Sequence, residues 1–95
     1  MIRKFKDKET ENIYNGIFSK KLPTNIQKTA LRKLIMLNGS NSINDLRVPP
    51  SNHLEKLIGD LEGYYSIRIN EKYRIIFKLD VNGTDVIDVE IVDYH

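Results

Sequence analysis

Residues 64–92, YYSIRINEKYRIIFKLDVNGTDVIDVEIV, decide the fold. Apolar and polar side chains alternate there in three runs, and a period of two is typical of half-buried strands. The pair Asn82-Gly83 separates the last two runs and is a strong hairpin signal. This stretch therefore predicts an antiparallel meander.

The alternation also assigns the two faces of the predicted sheet. The side chains expected to face the core are Tyr65, Ile67, Ile69, Ile75, Phe77, Leu79, Ile87, Val89 and Ile91. The opposite face is expected to meet water and to carry Tyr64, Arg68 and Arg74.

The residues before the meander predict helices. Residues 1–5 form a candidate first strand, and residues 7–22 form a helix that Asp7 can cap. Residues 23–39 form a stronger helix, with Thr24 and Gln27 in the pattern of a capping box. A further short strand is expected at residues 53–59, after the stiff pair Pro49-Pro50. The predicted fold is α+β, a single two-layer domain over residues 1–95 in the order β-α-α-β-β-β-β.

Composition limits the classes of function. The 95 residues include no cysteine, which excludes disulfides and thiolate metal sites. No apolar run approaches the roughly 20 residues of a membrane span, and the N-terminus lacks the pattern of a secretory signal, so we expect a cytoplasmic protein. Residues 1–40 contain nine Lys or Arg and three Asp or Glu, whereas residues 41–95 contain six and ten. The basic half suggests an anionic partner, but solvated helix faces explain it equally well.

Two imidazoles raise the possibility of acid–base chemistry. His53 precedes the predicted sheet and His95 follows it, so both can reach one end of the sheet. Lys56 and Arg74 supply cations, while Asp93 could orient an imidazole and Tyr94 could stack on a base or donate a hydrogen bond. This set suits metal-independent RNA cleavage, in which a ribose 2′-OH attacks the adjacent phosphorus.

Other interpretations of these residues remain open. A histidine near a proline-rich loop is more often a surface or capping residue, and terminal residues are often poorly ordered. His53, Asp93 and His95 could formally bind a metal, although their spacing does not favour it, and we predict neither a metal nor a cofactor. Arg68 and Arg74 could instead form cross-strand ion pairs with Asp88 or Glu90.

Several motifs together resemble the HigB group of RelE-superfamily toxins from bacterial type II toxin–antitoxin modules. They are PPSNHLEKL, GYYSIRIN, YRIIF and the C-terminal DYH, and the N-terminal MIRKFKDKETENIYNG is similar as well. The resemblance covers essentially the whole chain. It implies the RelE-like α+β fold and ribosome-dependent endonucleolytic cleavage of mRNA. It also implies that a helix-turn-helix antitoxin neutralises the toxin. The toxin would then be associated with operator DNA only indirectly, through the antitoxin.

The resemblance also implies roles for individual residues. The family's catalytic residues match His53, Lys56, Arg74, Asp93, Tyr94 and His95. A basic helical surface would face ribosomal RNA and include Lys20, Lys21, Lys28, Arg32 and Lys33. Arg68 and Lys72 are further candidates for substrate binding, because Leu61 stands where relatives often carry a basic residue.

Two alternative functions follow from the same family. A ParE-type toxin would have the same fold and inhibit DNA gyrase by binding, and such a toxin needs neither His53 nor the terminal Asp-Tyr-His. A degenerate toxin would retain only antitoxin binding, and Leu61 is the feature that favours this alternative.

Overall fold

A computed structural model describes residues 1–93 and has two helices packed on a four-stranded antiparallel sheet, which confirms the predicted fold class. The helices are α1 (Lys8–Tyr14) and α2 (Thr24–Gly39). The strands are β1 (Glu55–Lys56), β2 (Tyr65–Arg68), β3 (Tyr73–Leu79) and β4 (Val86–Asp93), and they lie side by side in chain order. In place of a full first strand, the N-terminal segment runs parallel to β4 through the single bridges Ile2–Val86 and Phe5–Val89.

The main core lies between the helices and the inner face of the sheet. Its fully buried members are Ile26, Ala30, Leu34, Leu37, Leu46, Ile67, Ile75, Phe77 and Val89. Each large apolar side chain contributes about 1.5–3 kcal/mol on full burial. The buried Thr10 links α1 to the sheet, because its hydroxyl accepts a hydrogen bond from the backbone N–H of Ile91 (3.0 Å).

Helix α1 is shorter than the apolar repeat predicts. Asp7 caps its start as expected, but Gly16 adopts φ +80° and turns the chain away from the helix axis. Ile17 and Phe18 are consequently 54% and 60% exposed, so the prediction that they extend an apolar helical stripe is wrong. Pro23 occupies the N-cap position of α2 without a side-chain hydrogen bond, and the predicted capping box is therefore wrong too.

A β-bulge changes which residues of β4 face the core. Ile76 pairs with Glu90, but Lys78 pairs with Ile87, so two residues of β4 lie opposite one residue of β3. Asp88 lies in the bulge with φ +53°. The one-residue shift brings Val86 into the core in place of Ile87, contrary to strict alternation.

The outer face of the sheet is partly covered rather than open to water. Leu57, Tyr64 and Ile76 form a second buried cluster there, and Leu61 and Val92 pack against it. The chain between β1 and β2 supplies Leu57 and Leu61, so this connection shields the middle of the outer face. Among residues 1–93, no helix is long and apolar enough to cross a membrane.

Candidate functional site

Arg74 on β3 is the most firmly held cation of the outer face. Its side chain is only 11% exposed. One guanidinium nitrogen donates to the Ser66 hydroxyl (2.6 Å) and to the His53 carbonyl (3.2 Å), and the other donates to the Glu55 carboxylate (3.1 Å). Because three acceptors among the described residues hold it, two at or beside the start of β1 and one on β2, the guanidinium has one fixed orientation.

His53 reaches this site through its backbone. The 3₁₀ turn Pro50–Asn52 ends at His53, which adopts the left-handed conformation with φ +44°. That conformation is uncommon outside glycine and persists only where the surroundings enforce it. The His53 carbonyl then meets Arg74, while the residue as a whole remains exposed. His53 and Arg74 therefore lie together, but their contact involves the His53 carbonyl and not the imidazole.

A buried polar contact fixes the turn that precedes His53. Asn52 is fully buried, and its amide nitrogen donates to the carbonyls of Leu46 (3.1 Å) and Val48 (3.4 Å). Its amide oxygen accepts a hydrogen bond from the ammonium of Lys33 on α2. The conformation of this turn thus depends on a contact with the longer helix.

Lys33 is not part of the basic surface on which it was expected. It is 5% exposed, because Ala30 and Leu37 lie three residues before and four residues after it on the buried face of α2. Burial lowers the pKa of the Lys33 ammonium below its ordinary value, and the charge of Arg32 lowers it further. Lys33 therefore belongs to the interior and cannot contact a macromolecule from the surface.

Arg68 lies directly opposite Arg74 in the pairing of β2 with β3. Like charges in such a pair repel each other, and an anion between them would relieve the repulsion. The alternative pairing with the acidic residues of β4 is not the one observed, since Asp88 pairs with Lys4 (3.6 Å) and Arg74 pairs with Glu55. The two arginines therefore form a candidate anion site, in which Glu55 already offsets part of the charge of Arg74.

The register separates two other expected site residues from this centre. Lys56 lies opposite Tyr65, whereas its neighbour Glu55 lies opposite Ser66 and takes the position beside Arg74. Asp93 lies opposite Tyr73 and pairs with Lys72 (3.6 Å). Since successive residues of a strand point to opposite faces, Lys56 and Asp93 are directed to the other face from Arg74. Tyr94 and His95 lie outside the described residues.

Two further lysines of the outer face were not anticipated. The ammonium groups of Lys6 and Lys78 lie 5.6 Å and 4.8 Å from the centre of the Tyr64 ring. Lys6 also donates to the Tyr64 hydroxyl (3.3 Å), and this hydrogen bond is the main cause of the raised pKa of Lys6, with the nearby Glu90 adding to it. Together with the two arginines they place four cations on the outer face, where the carboxylates of Glu55 and Glu90 offset part of the charge.

The sequence analysis also missed the residues that orient Arg74. Ser66 lies in the motif GYYSIRIN and Glu55 in PPSNHLEKL, but neither a serine nor an exposed glutamate indicated a role there. The alternation of the strands places Ser66 on the same face of the sheet as Arg74, and this could have indicated the contact. The contact of Glu55 with Arg74 can be predicted only once the pairing of β1 with β2 is known. Within residues 1–93, no group of three or more acidic or histidine side chains could hold a metal.

The remaining basic candidates lie on the helical side of the domain. Lys20, Lys21, Lys28 and Arg32 are all exposed, and they belong to α2 and to the loop that precedes it. The sheet lies between these residues and the outer face, so they do not join the site around Arg74.

Comparison with known proteins gives a consistent family. The model of a family described as "RelE-like toxin of type II toxin-antitoxin system HigB" matches residues 3–95. Toxin HigB-1 of Vibrio cholerae serotype O1 is 42% identical over 79 residues, which are 82% of this chain and 83% of that protein. An uncharacterised protein of Haemophilus influenzae is 44% identical over 79 residues, covering 82% of this chain and 78% of its own.

Solved structures share the fold at low sequence identity. The YoeB-YefM complex from Staphylococcus aureus aligns with a TM-score of 0.56 and 22% identity, covering 100% of this chain and 98% of that one. The toxin-antitoxin complex RelBE2 from Mycobacterium tuberculosis aligns with a TM-score of 0.51 and 22% identity, covering 100% and 96%. Such identities support the shared fold and carry no residue roles.

Proposed function

The chain belongs to the HigB family of RelE-like toxins of type II toxin–antitoxin systems, and on that premise we propose that it is a ribosome-dependent endoribonuclease that cleaves mRNA. Growth arrest would follow from the loss of translated messages. The proposed partners are mRNA, ribosomal RNA and a helix-turn-helix antitoxin, and this action would take place in the cytoplasm.

The proposed reaction needs a base, an acid and charge stabilisation. A base removes the proton of a ribose 2′-OH, the oxygen attacks the adjacent phosphorus, and an acid protonates the departing 5′-oxygen. We assign the acid–base work to His53 and His95, with Tyr94 assisting them, and leave Asp93 out because it is directed to the other face of the sheet from Arg74. Arg74 would stabilise the negative charge that develops on the phosphorane.

The observation that carries this proposal is the fixed guanidinium of Arg74 opposite Arg68. A preorganised cation stabilises a transition state without having to reorganise during the reaction, which is why fixed donors are effective in catalysis. The hydrogen bonds from Arg74 to Ser66, His53 and Glu55 provide that fixed orientation. An RNA phosphate between the two arginines would also relieve their repulsion.

The other outer-face cations suit the backbone of a single RNA strand. Lys6 and Lys78 flank the Tyr64 ring, whereas Lys72 pairs with Asp93 and is not one of these outer-face cations. Contacts of lysine with phosphate are independent of sequence, so we expect them to set affinity and its dependence on salt. Lys56 is exposed on the edge strand and would act there on RNA that extends past the sheet.

Mapping of mRNA 5′ ends after induced expression tests the proposed activity. We expect growth to stop and new 5′ ends to appear inside reading frames, with plasmid supercoiling unchanged in the same cells. Intact messages together with altered supercoiling would instead indicate a gyrase inhibitor. If antitoxin binding persists while growth, mRNA and supercoiling are all unaffected, the protein is a degenerate toxin.

The proposed chemistry depends on a single hydroxyl. A reporter mRNA with one 2′-deoxynucleotide at the mapped cleavage position should resist cleavage there in a purified translation system, because the attacking oxygen is absent. The matched control carries the deoxynucleotide three positions away and should be cut normally. Equal cleavage of both substrates would mean that water or another external nucleophile attacks the phosphorus.

Ser66→Ala should lower the cleavage rate by about three- to tenfold. The variant removes the short hydrogen bond to the Arg74 guanidinium, and a bond to a charged group contributes about 1.5–3 kcal/mol, part of which the two remaining acceptors retain. Single-turnover cleavage of a ribosome-bound message measures this effect. A variant at Ser40, whose hydroxyl only caps the end of α2, should cleave at the normal rate.

A further inference from the structure

An apolar cleft lies on the helical side of the domain, between the end of α1 and the first half of α2. It is a shallow groove, open to solvent, with a volume of about 210 Å³, and its apolar lining comes from Ile13, Ile17, Phe18 and Leu31. Ile35 lies one helical turn beyond Leu31 on the same face of α2 and is 56% exposed. The cleft therefore continues as an apolar strip along the helix.

The loop that exposes Ile17 and Phe18 is held in place by hydrogen bonds. The backbone N–H of Ile17 donates to the carbonyl of Asn12 (2.8 Å). The Gln27 side chain accepts from the N–H of Ser19 and donates to the carbonyls of Ser19 and Leu22. Preorganised apolar side chains bind a partner at a lower entropic cost than mobile ones. Their exposure is thus a fixed feature of this surface.

The surroundings of the cleft are basic. Lys28 lines the cleft itself, Arg32 follows Leu31 on α2, and Lys20 and Lys21 follow Phe18 in the loop. All four cations are exposed. On the α1 side, Glu9 accepts a hydrogen bond from the Ser19 hydroxyl and Glu11 pairs with Lys8 (3.8 Å), so these carboxylates are already engaged. An apolar floor with a basic rim is complementary to an acidic amphipathic segment.

We propose that this cleft docks an acidic, amphipathic segment of the cognate antitoxin. The inference rests on the proposed function, because it takes the antitoxin as the partner, and it adds the surface and the chemistry of recognition. Phe18 and Ile17 would insert between apolar side chains of the segment, and carboxylates beside them would meet Lys28 and Arg32. Nucleic acid fits this surface less well, since Phe18 is the one aromatic side chain among the described residues that line the cleft, which therefore offers few faces on which bases can stack.

Affinity measurements on purified variants test this surface. The probe is the helix-turn-helix protein encoded beside the toxin gene, titrated against toxin immobilised at low density. Phe18→Asp should weaken binding by about 10- to 140-fold, since full burial of an aromatic side chain is worth about 1.5–3 kcal/mol and 1.4 kcal/mol is a factor of ten. Lys28→Glu should weaken it by about three- to tenfold and reduce its dependence on salt. Val81→Asp is the matched control, because Val81 is fully exposed in the turn between β3 and β4.

The outcomes separate the inference from the proposed function. Selective weakening by Phe18→Asp and Lys28→Glu supports docking in the cleft, provided that the variants melt at the temperature of the wild type. Unchanged affinity for the antitoxin overturns the inference and leaves the proposed nuclease activity intact. Unchanged antitoxin affinity together with weakened binding to 70S ribosomes also overturns it and assigns the surface to RNA. If wild-type toxin does not bind the neighbouring protein at all, the proposed partner itself is wrong.

Discussion

Arg74→Lys is expected to lower the rate of ribosome-bound mRNA cleavage by about 100- to 1,000-fold. The lysine keeps the positive charge but loses the planar fork that bonds the Ser66 hydroxyl, the His53 carbonyl and the Glu55 carboxylate together. Removal of one preorganised donor from a charge-stabilising site typically costs a factor of this size. The effect should appear in the single-turnover rate with saturating ribosomes, where binding does not limit cleavage.

Stability must be measured beside activity, because Arg74 is largely buried. We expect the thermal midpoint of Arg74→Lys to fall by only a few degrees, since lysine can still pair with Glu55. Arg3→Lys is the matched control, because Arg3 pairs with Asp85 at an exposed position and should retain full activity. A variant at position 74 that cleaves within threefold of the wild type would remove Arg74 from the catalytic assignment.

The sequence predicts the helices and strands correctly wherever the apolar pattern of neighbouring residues alone determines the local structure. Alternation in residues 64–92 predicts β2, β3 and β4 because one face of the sheet is buried by the helices. The same rule fails at Val86, because the bulge at Asp88 shifts the alternation by one residue and no local signal marks that insertion. It fails again at Ile17, where a single glycine with positive φ outweighs the apolar repeat.

The site is less predictable than the fold, because it is assembled from contacts between distant segments. Arg74 was identified from its motif and its place on an outward-facing strand, but its partners Ser66 and Glu55 lie 8 and 19 residues away in sequence. Lys33 was assigned to the polar face of α2 because it was grouped with the nearby Lys28 and Arg32. Its spacing from Ala30 and Leu37 indicates burial, and the pairing with Asn52 makes burial tolerable.

Asn52→Ala is expected to destabilise the fold by about 2–4 kcal/mol, a fall of ~10–20 °C in the thermal midpoint. The substitution leaves the buried ammonium of Lys33 without its acceptor and the carbonyls of Leu46 and Val48 without their donor. Removing one partner of a buried charge is more costly than removing the charge itself. Lys33→Met, which fills a similar volume, should therefore change the free energy of unfolding by only about 1 kcal/mol.

The pH dependence distinguishes these variants further. Because burial lowers the pKa of Lys33 below its ordinary value of 10.5, the unfolded chain binds more protons than the folded chain as the pH rises towards that value. The contribution of Lys33 to the free energy of unfolding of the wild type should therefore become more favourable as the pH rises towards 10.5. The other titratable groups add their own effects to this contribution. Lys33→Met should lack that gain, and urea unfolding at several pH values measures the difference.

A double-mutant cycle completes the test of this contact. If Asn52→Ala is costly mainly because it strands a buried charge, then adding Lys33→Met to it should restore part of the lost stability, with a coupling energy of about 1–2 kcal/mol. Strictly additive effects would mean that Asn52 acts only through the carbonyls of Leu46 and Val48. In either case the turn before His53 loosens, so Asn52→Ala should also impair cleavage at temperatures where it remains folded, because the His53 carbonyl is one of the acceptors that orient Arg74.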